Sequence, residues 1–166
     1  MRVHLLIAVM LWLSVSVFTQ TPSVNVIELK IKGVSLNSSY SNVIRQPGKP
    51  LQKNQGKSFY SDCSDSRETP LTLRYNGLKI ELYGDGNGRN FRVTSIEVSS
   101  SKWSVAPDIN IGAKLKDVRA KFGEPLRIEN ESGKQLLIYF HKGDGGAVFH
   151  FRANKLVKIE MALDLC

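Results

Sequence analysis

Apolar side chains recur at helical spacing in two stretches of this chain. Leu36, Tyr40, Val43 and Pro47 fall at i, i+4, i+7 and i+11, and Ile111, Leu115, Val118 and Phe122 keep the same intervals. Each set marks one face of a helix. Asn37 and Gly112 stand just before each helix, where a chain can turn. Gly48 and Gly123 occupy positions suited to a left-handed C-cap, and Pro50 and Pro125 forbid continuation. Helices of about two to three turns do not persist alone in water. Each must therefore bury its stripe on something else.

The remaining apolar positions mostly alternate, as strands require. The run LTLRY-NG-LKIELY predicts a hairpin about Asn76-Gly77. That pairing sets Leu71, Leu73 and Tyr75 opposite Leu82, Ile80 and Leu78, and gives Thr72, Arg74, Lys79 and Glu81 the other face. A glycine-rich loop, GDGNGRN, leads into the strand FRVTSIEVS. After the second helix come a strand near Leu126–Glu129, then LLIYFH, a turn at Lys142–Gly146, AVFHF, a short turn at Ala153-Asn154, and KLVKIEMAL. With Asp144-Gly145 at the centre of that turn, Ile138, Phe140, Phe149 and Phe151 share one face. Tyr139, His141, Val148 and His150 share the other, and a one-residue slip exchanges the two sets.

The expected fold is α+β, with two tandem units that are each a short helix packed on a three- to four-stranded antiparallel sheet. The first unit spans 20–100 and carries a polar insertion at 52–70. The second spans 101–166. Val24 to Lys32 alternates and predicts an extra strand before the first helix. Ser99 to Pro107 reads as the joint, with Trp103 packed within it. Chance likeness between two helix-and-sheet segments is the competing reading.

The N-terminus adds a compartment. Arg2 and His4 precede the uncharged apolar run Leu5 to Phe18, shorter than the roughly 20 residues that a spanning helix needs. It fits a secretory signal, residues 1–19, with Val17 and Thr19 at the small-residue positions; an anchor that is kept is the alternative. No cysteine lies near the cut, so there is no lipobox, and the expected location is periplasmic or secreted. Cys63 and Cys166 are the two cysteines of the chain, and an even count in an exported protein favours a disulfide between them. Such a bridge closes a loop of about 100 residues, worth on the order of 4 to 5 kcal/mol.

Charge narrows the partners. The chain carries 23 Lys and Arg against 15 Asp and Glu, for a net +8. These cations are scattered, and no recognition-helix or RNA-binding aromatic pattern accompanies them, so nucleic acid is not expected. A protein partner is, and an anionic envelope surface stays open. The oligomeric state is not legible.

Catalytic and metal chemistry find little support. His141 and His150 lack the third ligand that zinc needs. The Asp85–Asn90 loop lacks the oxygen donors of a calcium site and reads as a flexible turn. No G-x-S-x-G occurs, and the carboxylates Asp62 and Asp65 fall in the solvated insertion. The chain is read as non-enzymatic and without cofactor. The contact residues expected for a binding role are Arg74, Lys79 and Glu81 on one sheet, and Tyr139, His141 and His150 on the other, since these types present large area with polar tips.

The second half also carries a family resemblance. INIGAKLKDVRAKFGEP, the Tyr-bearing strand LLIYF and the hairpin VFHF-RAN-KLVKIEM resemble the SmpA/OmlA (BamE-like) pattern over about residues 109–162. A tandem of two such units resembles the beta-lactamase inhibitory protein family. The resemblance implies a non-catalytic protein that grips its partner on a curved sheet. The missing lipobox and the poor match of the first half depart from it. Taken together, the expected function is an exported protein-binding module, an inhibitor or envelope adaptor. The alternatives are an envelope assembly factor at an anionic membrane surface, and a small hydrolase or metal-binding protein.

Overall fold

Between Ser66 and Ala162 almost every segment with alternating character becomes a strand, and the strands join edge to edge. The computed structural model describes residues 29–106, 109–141 and 145–164. The apolar run Leu5–Phe18 and residue Cys166 lie outside them. Along the chain come α1 (Tyr40–Arg45), β1 (Gln52–Gln55), β2 (Phe59–Ser61), β3 (Ser66–Tyr75), β4 (Leu78–Asp85) and β5 (Arg92–Val98). Then follow α2 (Leu115–Phe122), β6 (Arg127–Glu131), β7 (Lys134–His141), β8 (Gly145–Arg152) and β9 (Lys155–Ala162).

All nine strands belong to one antiparallel sheet, in the order β1-β3-β4-β5-β9-β8-β7-β6, with β2 also pairing β3. This corrects the expectation of two tandem helix-on-sheet units. The reason is the contact between β5 and β9, where Ser95–Val98 pair with Ile159–Ala162. Two small sheets side by side would each leave an unpaired edge, and joining them satisfies both rows of backbone groups. The helices are minor additions, and Val43, Val118 and Phe122 enter the same core as the strand residues.

The β3–β4 hairpin has the register that its sequence predicts, with Leu71, Leu73 and Tyr75 opposite Leu82, Ile80 and Leu78. Gly77 at φ 73° supplies the turn conformation that a side chain resists. The expected insertion, 52–70, is instead β1, β2 and the first half of β3. Its residues are largely exposed at the sheet edge, so neither face imposes the alternation by which a strand is recognised. The expected strand at Val24–Lys32 is described only from Leu29 on. There Ile31 and Val34 exchange backbone hydrogen bonds of 2.8 and 3.0 Å across a tight turn at Lys32-Gly33.

The core lies on one face of the sheet, hereafter the inner face. Leu71, Leu73, Ile80, Leu82, Ile96, Ile159, Phe149 and Leu137 are inaccessible or nearly so. α1 is short and starts at Ser39, whose hydroxyl accepts from Asn42 N at 3.3 Å. α2 has no side-chain cap; Leu115 N instead donates to Asn154 O at 3.2 Å, tying the helix start to the β8–β9 turn. Phe122 then packs on Phe149 and Tyr139, with ring centroids 5.1 and 6.2 Å apart. Trp103 is buried, as expected, and its indole donates to Asn76 O at 2.8 Å.

Candidate docking surface

Both helices pack on the inner face, so the side chains between the core positions form an outer face that no described helix covers. Across it, cross-strand partners run Arg74, Lys79, Glu97, Glu160, Val148 and Ile138 in one row. A neighbouring row places Leu136 beside His150 and His150 beside Lys158. This face therefore has a charged half on β3, β4, β5 and β9, and an apolar half on β7 and β8.

At the seam between β5 and β9 the two glutamates Glu97 and Glu160 stand directly opposite each other. Like charges in that position destabilise a sheet unless cations flank them. Lys79 lies 3.0 Å from Glu81 and 4.0 Å from Glu97. Lys158 lies 2.5 Å and His150 2.8 Å from the Glu160 carboxylate. Burial alone would raise the Glu160 carboxyl, but hydrogen bonds and charge from Lys158 and His150 outweigh it and hold that group below the usual carboxylate range.

The apolar half consists of Leu136, Ile138 and Val148, each partly exposed, and Phe140, which is 41% exposed. Phe140 lies across its partner Gly146 so closely that a Cβ there would collide with the ring. The glycine thus leaves room for the Phe140 ring on the outer surface.

The expected contact residues are divided by this geometry. Arg74 is exposed, and Lys79, Glu81 and His150 are partly exposed, all four on the outer face. Tyr139 is not, and its assignment to a face with His150 is corrected. In the observed register Leu137, Tyr139 and Phe151 stand on the inner face with Phe149, while Ile138 and Phe140 stand outside. The observed register pairs Ile138 with Val148 and Phe140 with Gly146, an odd shift from the pairing expected about Asp144-Gly145 that exchanges the faces. Tyr139 is 5% exposed, and its hydroxyl donates to Gly123 O at 2.9 Å, closing the end of α2. Tyr75 does the same for Gly48 O at 3.1 Å. Burial pushes both phenols up to about 12, assisted by the Glu124 charge at Tyr139 and by Tyr40 at Tyr75. His141 pairs with Gly145 and stands five residues along β7 from Leu136, the partner of His150, so the two histidines are not diagonal neighbours.

Sequence reasoning missed Glu97, Glu160, Lys158 and the apolar quartet. The charged residues were visible as alternate positions of β5 and β9, but only the β5–β9 pairing brings them together. Cys63 lies in the turn between β2 and β3, and the pairing with Cys166 falls outside the described residues. Asp85 accepts from Asn87 N, Arg89 N and Asn90 Nδ2 at 3.1, 2.9 and 3.0 Å. That hydrogen bonding makes the glycine-rich loop a built turn, where a flexible one was expected. Among the described residues no three His, Cys, Asp or Glu side chains gather as a metal site would need.

No family model and no curated protein matches the chain. Solved structures that resemble it include the following two. One is an extracellular protein containing a SCP domain from Bacillus anthracis, 14% identical over 78% of this chain and 44% of that one, with a TM-score of 0.48. The other is a cysteine-rich secretory protein from Staphylococcus aureus, 11% identical over 87% of this chain and 47% of that one, with a TM-score of 0.50. The chain spans less than half the length of either protein, and at 11% identity the second likeness is one of fold. No family model supports SmpA/OmlA or beta-lactamase inhibitory protein and the fold likeness is to a cysteine-rich secretory protein, so that resemblance is corrected, as the single sheet corrects the tandem architecture read from the spacing. A glycine-ended helix followed by antiparallel strands is a solution that unrelated chains reach for the same capping and pairing reasons.

Proposed function

We propose that this is an exported, non-catalytic protein-binding module that docks a partner on the outer face of its sheet. The observation that carries the reading is the uncovered apolar quartet Leu136, Ile138, Phe140 and Val148, bordered by the row Lys79, Glu97, Glu160 and His150. An apolar centre with a polar border is the anatomy of a protein interface. Apolar side chains on an otherwise solvated sheet face are a cost unless a partner buries them. The Leu5–Phe18 run supports export. So does the fold likeness to a cysteine-rich secretory protein. A periplasmic location fits the same features when the producing cell has two membranes.

The test is capture of extracellular or envelope proteins by the full chain, comparing the native protein with Ile138→Asp/Val148→Asp. The native protein is expected to hold one partner at fixed stoichiometry, and the double variant to lose it while keeping its melting transition. Equal capture by both would reject this face. Binding to anionic vesicles that salt abolishes, with no protein complex, would favour a membrane-surface role instead.

A further inference from the structure

On the helix side of the sheet, at the β1 edge, a groove of about 540 Å3 runs between the start of α1 and the loop joining β4 to β5. Its walls include Tyr40, Lys53, Arg89, Asn90, Phe91 and Arg92, and no acidic side chain lines it. Lys53, Arg89 and Arg92 have no carboxylate within ion-pair distance among the described residues. Lys53, Arg89 and Arg92 thus line one open groove, with no counter-charge among the described residues.

The groove is also held in shape. Asp85 N donates to Arg89 O at 2.9 Å and Gly88 N to Asp85 O at 2.8 Å. With the three bonds to its carboxylate, Asp85 spends its charge inside the turn that presents Arg89. Lys53 Nζ donates to the Tyr40 hydroxyl at 3.1 Å and sits 4.7 Å above that ring. Arg92 reaches the Asn37 carbonyl at 3.4 Å. A guanidinium offers parallel donors that match phosphate or carboxylate oxygens, and a site fixed before binding loses less entropy when it is filled.

We infer that this groove binds an oxyanion group, phosphate or carboxylate, carried on a ligand longer than a single anion. The volume is that of a pocket for a several-group ligand, and the cations come from three separate elements: β1, the β4–β5 loop and β5. The site lies on the opposite side of the sheet from the proposed docking face and does not depend on it.

Titration calorimetry of the full chain tests this with three probes: inorganic phosphate, a short polyphosphate and an oligogalacturonate. Either polymer is expected to bind at fixed stoichiometry, more tightly than inorganic phosphate and more weakly as salt rises. Which polymer binds identifies the group. Arg89→Glu/Arg92→Glu is expected to weaken binding by at least about tenfold. The equal charge reversal Arg152→Glu/Lys155→Glu, at the β8–β9 turn, should leave it within about twofold, because separated surface charges are screened. Arg89→Gln/Arg92→Gln repeats the loss without reversed charge, in case the glutamates perturb folding. The inference is overturned if neither polymer binds, if the two charge reversals weaken binding equally, or if the groove variants bind as the native chain does.

Discussion

On the inner face of β8, Phe149 is inaccessible and touches Phe122 and Tyr139, whose centroids lie 5.1 and 5.5 Å from its own. On the outer face of the same strand, Val148 stands half in water and His150 leans on Glu160 at 2.8 Å. The inner face is held by close packing, in which each ring has neighbours on several sides. The outer face is held by screened charges and has apolar side chains to spare. Stability belongs to the first face, and the proposed docking to the second.

That contrast fails most visibly if the inner rings are dispensable. Phe149→Ala is expected to destabilise the fold by about 3 to 5 kcal/mol, through lost burial and the cavity left behind. Denaturant unfolding measures it, and a loss below about 1 kcal/mol would mean that the ring cluster is loose.

A smaller effect is expected where the inner face uses a polar group. Tyr139→Phe leaves the Gly123 carbonyl without its 2.9 Å donor, at a cost of about 1 kcal/mol. The phenol also sets an alkaline limit. Its folded pKa is raised to about 12 from 10.0, so the neutral form is the one that folding favours. Below pH 10 the phenol is neutral in both states and its contribution is complete. As pH rises from about 10 to 12 the unfolded chain ionises first and stability falls. Tyr75, raised likewise, deepens the fall, and Tyr75→Phe/Tyr139→Phe should flatten it in a pH series of melting curves.

The outer face predicts the opposite pH limb and less energy. Glu160 is depressed below its ordinary 4.5, so its contribution is present above that value and lost as pH falls through the lower, folded one. Glu160→Gln should cost under about 1 kcal/mol at neutral pH, since the group is partly exposed and screened. The variant and the native chain should then converge in acid. A gap that persists there would show that the contact is not ionic.

The smallest effect sharpens the comparison most. Glu97→Gln removes one of two opposed carboxylates and loses only a 4.0 Å contact with Lys79. The expected change is within about 0.5 kcal/mol, in either direction. A loss as large as that of Tyr139→Phe would make the seam charges structural and leave less reason to assign this face to a partner.

The β3–β4 hairpin was legible because Asn76-Gly77 fixes its turn and LTLRY and LKIELY alternate cleanly. In β7 and β8 the runs LLIYF and AVFHF have apolar residues on both faces, so periodicity cannot choose between them. The turn length decides, and there the expected register slipped. Part of the candidate surface was nonetheless visible, since Arg74, Lys79, Glu81 and His150 do lie outside. Tyr139 was misplaced because a tyrosine in a strand reads as a contact residue until its hydroxyl finds a buried carbonyl.

Local chemistry therefore determined that two short helices form, that α2 stops at Gly123 and that a hairpin turns at Asn76-Gly77, because each depends on residues a few positions apart; α1 is shorter than its stripe and is capped by Gln46 rather than by Gly48. The tertiary structure alone decided that β5 pairs with β9, and so that there is one sheet rather than two. It also decided that Glu97 and Glu160 oppose each other, and that Arg89 and Arg92 share a groove with Lys53. Those neighbours are set by edge-to-edge hydrogen bonding between segments more than thirty residues apart, and no spacing along the chain encodes which edge meets which.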